Sequence, residues 1–155
     1  MPATVLEQIA EELERRCSGV TSRVVRPQRR EAYTPENRQV VIKQDDPERN
    51  FELDQPGNPP AICWNQRFNL HLHIRPSDAD ATSVDSLVNQ FYGDVLDAIT
   101  NSITTDPWHT FNALAINSVI EAPEHIDADE SVDGLNLPIT VVYRTDETDP
   151  FRSRG

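Results

Sequence analysis

Leu135-Asn136-Leu137-Pro138-Ile139-Thr140-Val141-Val142-Tyr143-Arg144 is an alternating apolar run, followed by Thr145-Asp146-Glu147-Thr148-Asp149-Pro150-Phe151. Side chains on a strand alternate with period two, so Leu137, Ile139, Val141 and Tyr143 share one face. The run is a half-buried strand. Acidic residues and a short flexible C-terminal tail follow it, so it closes a small domain and does not lead into another. Nothing in it looks catalytic.

Working outward, the longest strand candidate is Ala61 to Arg75, where Phe68, Leu70, Leu72 and Ile74 alternate with Asn69, His71, His73 and Arg75. Pro76-Ser77-Asp78 breaks it. The run from about Ser83 to Ile103 has a different period. Val84, Leu87, Val88, Phe91, Val95, Ala98, Ile99 and Ile103 recur at helical spacing, with Thr82 or Ser83 as the cap. Ahead of these, Thr4 and Glu7 stand at capping-box spacing before Leu6, Ile9, Ala10, Leu13 and Cys17, and Gly19 ends that helix.

Shorter strands are expected at Val20 to Arg26, stopped by Pro27, at Gln39 to Gln44 and at Ala113 to Ala122. Asp106-Pro107-Trp108-His109 is a turn whose Trp caps the core. Pro123 to Gly134 is an acidic loop. Residues 45–60, with Asp45-Asp46-Pro47-Glu48-Arg49-Asn50 and Gln55-Pro56-Gly57-Asn58-Pro59-Pro60, are expected to form a long mobile loop without a regular element. The order is α-β-β-β-α-β-β. It predicts a single α+β domain over residues 1–155, with a mixed, mainly antiparallel sheet of about four or five strands and two helices packed on one face.

Charge narrows the range of partners. The formal net charge is −12, with 26 acidic and 14 basic residues. A nucleic-acid surface needs clustered cations to displace phosphate counterions, and an anionic membrane attracts the same clusters. Neither fits this balance. Lys43 is the only lysine, and an acidic, lysine-poor chain fits a GC-rich genome or a high-salt environment. Nine of the 14 cations lie between Arg15 and Arg49, whereas nine acids and one Arg lie between Glu121 and Asp149. Such polarity lets copies stack on one another, although solvated faces account for it more simply.

Cys17 and Cys63 stand apart from any CxxC spacing and are expected as buried, reduced thiols. No stretch approaches the length of a membrane helix, and no leader pattern opens the chain, so the expectation is a soluble protein of a reducing cytoplasm. His71 and His73 lie two apart on one strand face, with Asp78 and Asp80 beyond. Imidazoles at this spacing bind transition metals. More simply, they belong to the polar face of a half-buried strand, where Arg75 would repel a cation. No Gly-x-Ser-x-Gly elbow, glycine-rich phosphate loop or acid–base pair outside acidic loops is present, so no catalytic residue, cofactor site or metal site is nominated.

The whole pattern resembles the tail terminator, or minor tail protein U-like, family of long-tailed phages and related viruses. The residues that carry the likeness are the helix beginning near residue 4, the central strand ending in Arg75-Pro76-Ser77-Asp78, the amphipathic helix and the Trp108 turn. The two closing strands, with Val142-Tyr143-Arg144-Thr145 and Asp149-Pro150-Phe151, complete it.

The resemblance implies a non-enzymatic virion protein, a homohexameric ring on the head-proximal end of the tail tube, built in the host cytoplasm. Such a ring ends polymerisation of the tube protein and meets the head–tail connector protein. Genome DNA passes through its channel without specific binding, and no membrane is involved. Acidic residues facing a channel would repel phosphate.

Candidate interface residues are Arg26, Arg29, Arg30 and Arg38, facing acidic neighbours, with Asp45, Asp46, Glu48, Asp146, Glu147 and Asp149. The 45–60 loop would order when a partner docks. The competing expectations are a head completion, connector or other tail component, a small metal-dependent enzyme using His71 and His73, and an adaptor binding a protein along a sheet edge.

Overall fold

The computed structural model describes residues 3–21, 24–26, 38–74, 84–101, 108–111, 113–126 and 133–154. Two long strands organise it. β4 (Ala61–Ile74) and β7 (Asp133–Asp146) are 14 residues each and pair antiparallel from Ala61 opposite Asp146 to Ile74 opposite Asp133. The predicted alternation decides which face is buried. Phe68 lies opposite Ile139, Leu70 opposite Leu137 and Leu72 opposite Leu135, and all six are core residues.

β2 (Arg38–Gln44) lines the other edge of β4 antiparallel and adds Val40 and Ile42 to the same face, while β1 (Val24–Val25) joins β2 in parallel. Along the far edge of β7 lie β5 (Asn117–Ile120), β6 (Glu124–Ile126) and β8 (Asp149–Ser153). Proline inside a central strand normally forfeits a ladder bond. Pro138 does not, because it lies where this edge passes from β5 to β6. Its carbonyl accepts the Glu121 N–H at 3.0 Å, and its missing N–H falls on the same side, in the gap.

α1 (Val5–Cys17) starts as its sequence predicts: the Thr4 hydroxyl accepts the Glu7 N–H at 3.1 Å. A cap of this kind is worth about 1 kcal/mol. Its buried stripe is Val5, Ile9, Ala10, Leu13 and Cys17. α2 (Val84–Thr100) buries Val88, Phe91, Val95 and Ile99. Both stripes enter the core formed by the apolar face of the sheet, so both helices lie on one side. Cys17 and Cys63 are free and buried. Burial, with Glu14 nearby, pushes the Cys17 thiol up to about 12, which keeps it protonated and unreactive.

Three expectations need correcting. Among the described residues the mixed α+β sheet has eight strands, not four or five. The extra ones, β3 (Glu48–Arg49), β6 and β8, run two to five residues, and the strand expected at Val20 to Arg26 shortens to β1. They borrow their pairing from the long edges of their neighbours and are too short to show a period of their own.

The 45–60 stretch also has regular structure, namely β3 and a 3₁₀ turn at Phe51–Leu53. It continues along the edge of β4 that β2 leaves free. The Asn50 N–H donates to the Cys63 carbonyl at 3.0 Å, the Cys63 N–H donates to Asp54 Oδ1 at 2.6 Å, and Gln55 bridges to Ala61. Third, the expected tail contains β8, folded back on β7, with Arg154 donating from its backbone to the Arg144 carbonyl at 3.0 Å.

Smaller shifts concern strand ends. The strand expected at Ala113 to Ala122 shrinks to β5 because Phe111 and Ala113, at φ 45° and 66°, are in left-handed backbone. The proposed stops at Pro27 and Pro76, the Thr82 or Ser83 cap, and Asp106-Pro107 lie outside the described residues.

Candidate interaction surface

Two recesses flank the β2–β3 turn at one end of the sheet, and register explains why they differ. Trp64 and Tyr143 face each other on the helix-bearing side, whereas Arg67 and Thr140 face each other on the helix-free side. On the first side, Leu6, Pro47, Trp64, Tyr143 and Pro150 line an apolar cleft of about 220 Å³, with Thr4 and Thr145 at its polar margin. On the second side, Asp45, Asp46, Glu48, Asn65, Arg67 and Glu121 line a polar groove of about 350 Å³. The turn Asp45-Asp46-Pro47 contributes to both.

Among the described residues, the groove gathers four carboxylates around one guanidinium. Arg67 pairs with Glu121 at 3.2 Å, with both side chains about 40% exposed, so that pair adds little stability. The carboxylates of Asp45, Asp46 and Glu48 repel one another, on a chain already at −12. Salt screens such repulsion within about 10 Å at 0.1 M and about 3 Å at 1 M. The melting temperature should therefore rise between 0.1 and 2 M NaCl by about 3–6 °C, equivalent to roughly 1–2 kcal/mol. Asp45→Asn/Asp46→Asn/Glu48→Gln should reduce that gain. A melting temperature indifferent to salt would contradict this account of the groove.

The predicted interface residues do not form one patch. Asp45, Asp46 and Glu48 come together in the groove. Arg26 and Arg38 are already engaged within the chain: Arg26 pairs with Glu7, and Arg38 reaches Asp94 at 2.9 Å with its guanidinium 5.1 Å from the Phe91 ring centre. Arg29 and Arg30 lie outside the described residues.

Asp146 is buried and held by Arg154, so it anchors β8 to β7. Glu147 is exposed in the β7–β8 turn, where its N–H donates to the Pro60 carbonyl at 2.9 Å. Asp149 Oδ1 accepts the Phe151 N–H at 3.0 Å.

Sequence reasoning missed the part Glu121 and Arg67 play in the groove, because they join it only through strand register. It also missed the exposed apolar side chains. Phe51 is 72% exposed, and Leu53, Val119 and Phe151 are exposed as well. The signal was present for Phe51 and Leu53, an apolar pair inside an otherwise polar, proline-rich stretch. Arg49 lies over the rings of Phe51 and Trp64, with its guanidinium carbon 4.5 and 5.1 Å from their centres.

His71 and His73 occupy the helix-free face with ring centres 6.1 Å apart. Burial foremost, then the Lys43 ammonium, hold both below the ordinary imidazole range, His71 at about 4. Asp78 and Asp80 lie outside the described residues. Among the described residues no three His, Cys, Asp or Glu side chains are grouped to hold a metal. Among them, too, no helix is long and apolar enough to cross a membrane. No protein-family model matches the chain, and no curated protein matches it.

Proposed function

We propose that this chain is a structural virion protein of the tail-terminator kind, forming a ring that caps the head-proximal end of a tail tube and meets the head connector. The observation that carries this reading is the order of elements: a capped helix, antiparallel strands ending in the long β4, an amphipathic helix, and a long return strand, β7. That order agrees with what the sequence resemblance implies. Both helices occupy one face of the sheet, and the acidic groove on the other side and Phe51 are open to partners. A protein that works by being packed against copies and neighbours needs surface of this kind.

In such a ring each subunit offers two different surfaces to its neighbours, and the contact closes on itself. Phe51 and Leu53 sit on a stretch tied to the edge of β4, so they meet a partner already positioned. Arg26 and Arg38, paired within the chain, reach a neighbour only by sharing or exchanging those partners.

Labelled protein incubated with tubes grown from the tube protein of the same genome tests the proposal. Label at one end of each tube is the expected result. Label along the walls, or on no tube, would contradict it.

A further inference from the structure

We propose that the cleft lined by Leu6, Pro47, Trp64, Tyr143 and Pro150 is a socket for Phe51 of a second copy of this chain, and that two copies exchange these side chains about a two-fold axis. The ring has the size the cleft accepts. A cavity of about 150 Å³ takes a benzene-sized ring, and the cleft holds about 220 Å³. Phe51 does not line the cleft of its own chain and is 72% exposed. Its mount is fixed. The Leu53 and Asp54 N–H groups donate to the Asn50 and Phe51 carbonyls at 3.2 and 3.3 Å, and Asn50 and Asp54 are both bonded to the Cys63 backbone on β4. A ring held in this way needs little further ordering when it docks.

The short distance from plug to socket fixes the symmetry. The Arg49 guanidinium carbon lies 4.5 Å from the Phe51 ring centre and 5.1 Å from that of Trp64, so the two centres are no further apart than these distances together. A head-to-tail contact carries the socket of one copy onto the plug of the next. In a ring of six, neighbouring positions are separated by their own distance from the axis, so a step this short would crowd the contact into the channel. A two-fold axis between the two sites needs only that step and seats both rings at once on one self-complementary patch. The pair is thus a contact of the free protein, distinct from the one that closes a ring.

Charge agrees with this arrangement. Arg49 pairs with Asp54 at 2.7 Å, so the two Arg49 side chains that approach each other near the axis are each neutralised within their own copy. Arg49 also travels with Phe51 to the rim of the opposite cleft, where the exposed residues Asp45 and Asp46 precede Pro47. Opposite charges therefore meet beside the inserted ring. The contact is small. One ring and its margin on each side cover far less than the ~800 Å² per partner of a stable interface, which places the pair in the weak class, half-dissociated near about 0.1 mM. Being weak, it yields Phe51 to another partner.

Sedimentation of the full chain from about 5 µM to about 0.5 mM, in 0.5 M NaCl to screen the −12 on each copy, tests the socket. The mass should double across this range, whatever species is present when dilute. Phe51→Ser, at an exposed position, should keep the wild-type melting temperature and weaken pairing by about 100-fold, because every pair loses two rings worth about 10-fold each. Leu6→Trp, which fills the cleft and leaves Phe51 in place, should also abolish the doubling. An equimolar mixture of the two variants should recover part of it, since one plug and one socket remain to each mixed pair. No doubling in the wild type, doubling that persists in Phe51→Ser, or growth beyond doubling that Phe51→Ser removes, would overturn the proposal. The pair forms without tube protein, so its failure and the failure of tube capping are read in separate experiments.

Discussion

Arg16→Ala should destabilise the fold by about 3–5 kcal/mol, the sum of a buried carbonyl left without its charged donor and the cavity left by a long, covered side chain. Arg16 sits on the buried side of α1 with its side chain fully covered. Its Nε donates to Glu12 Oε1 at 2.9 Å, and its Nη1 donates to the Ile99 carbonyl at 2.9 Å, near the C-terminal end of α2. The guanidinium carbon lies 4.9 Å from the ring centre of Phe111, which is itself buried and in left-handed backbone. One side chain thus joins α1, α2 and the turn before β5.

Truncation leaves the Ile99 carbonyl without that donor and opens a cavity beneath Phe111. Glu12 keeps Arg15, so the loss falls on the helix junction and not on the carboxylate. Arg16→Met, which fills the space without a charge, should cost less, about 1–2 kcal/mol, since an apolar replacement avoids the desolvation of an ion. Urea unfolding of the two variants separates these terms. Equal losses would show that the hydrogen bond to Ile99, and not the cavity, dominates; no loss in either would contradict the account of the junction.

Phe91→Ala should have an effect of similar size, about 3–5 kcal/mol, from lost transfer energy and the cavity left behind. Phe91 is the largest buried side chain of α2 and is 1% exposed. It also supports Arg38, whose guanidinium rests on its ring while reaching Asp94. The Arg38–Asp94 pair is about one-third exposed on both sides, so Arg38→Ala alone should cost no more than about 1 kcal/mol. That difference matters for function. A residue that contributes little to folding can be reversed in charge to test an interface, whereas loss of assembly in Phe91→Ala would only report loss of the fold. Thermal unfolding of both variants checks the contrast, and comparable losses would contradict it.

The sequence was most legible where an element was long enough to repeat its own pattern. Phe68, Leu70, Leu72 and Ile74 announce β4, Leu137 to Tyr143 announce β7, and the spacing of Val88, Phe91, Val95 and Ile99 announces α2. The Thr4–Glu7 pair places the first turn of α1 because a cap is a local device. What stayed hidden depends on contacts distant in sequence. β3, β6 and β8 are strands only because β4 and β7 extend past their other partners and leave ladder positions to fill.

The surface was harder to read for the same reason. Asp45, Asp46 and Glu48 were visible as an acidic run, but register brings Arg67 and Glu121 beside them. Asp146 resembled its neighbours Glu147 and Asp149 in sequence, yet Arg154 and burial make it an anchor of the fold. Arg26 and Arg38 read as open to partners in the sequence because Glu7 and Asp94 lie far along the chain and meet them only through the fold.

The length distribution of tail tubes, assembled from the tube protein of the same genome with increasing amounts of this chain, tests the central claim most directly. A terminator should shorten and narrow the distribution as its ratio to tube protein rises, with growth stopped at capped ends. Lengths that do not change with the amount added, on tubes whose ends carry no extra density, would contradict the proposal that this chain ends tube growth.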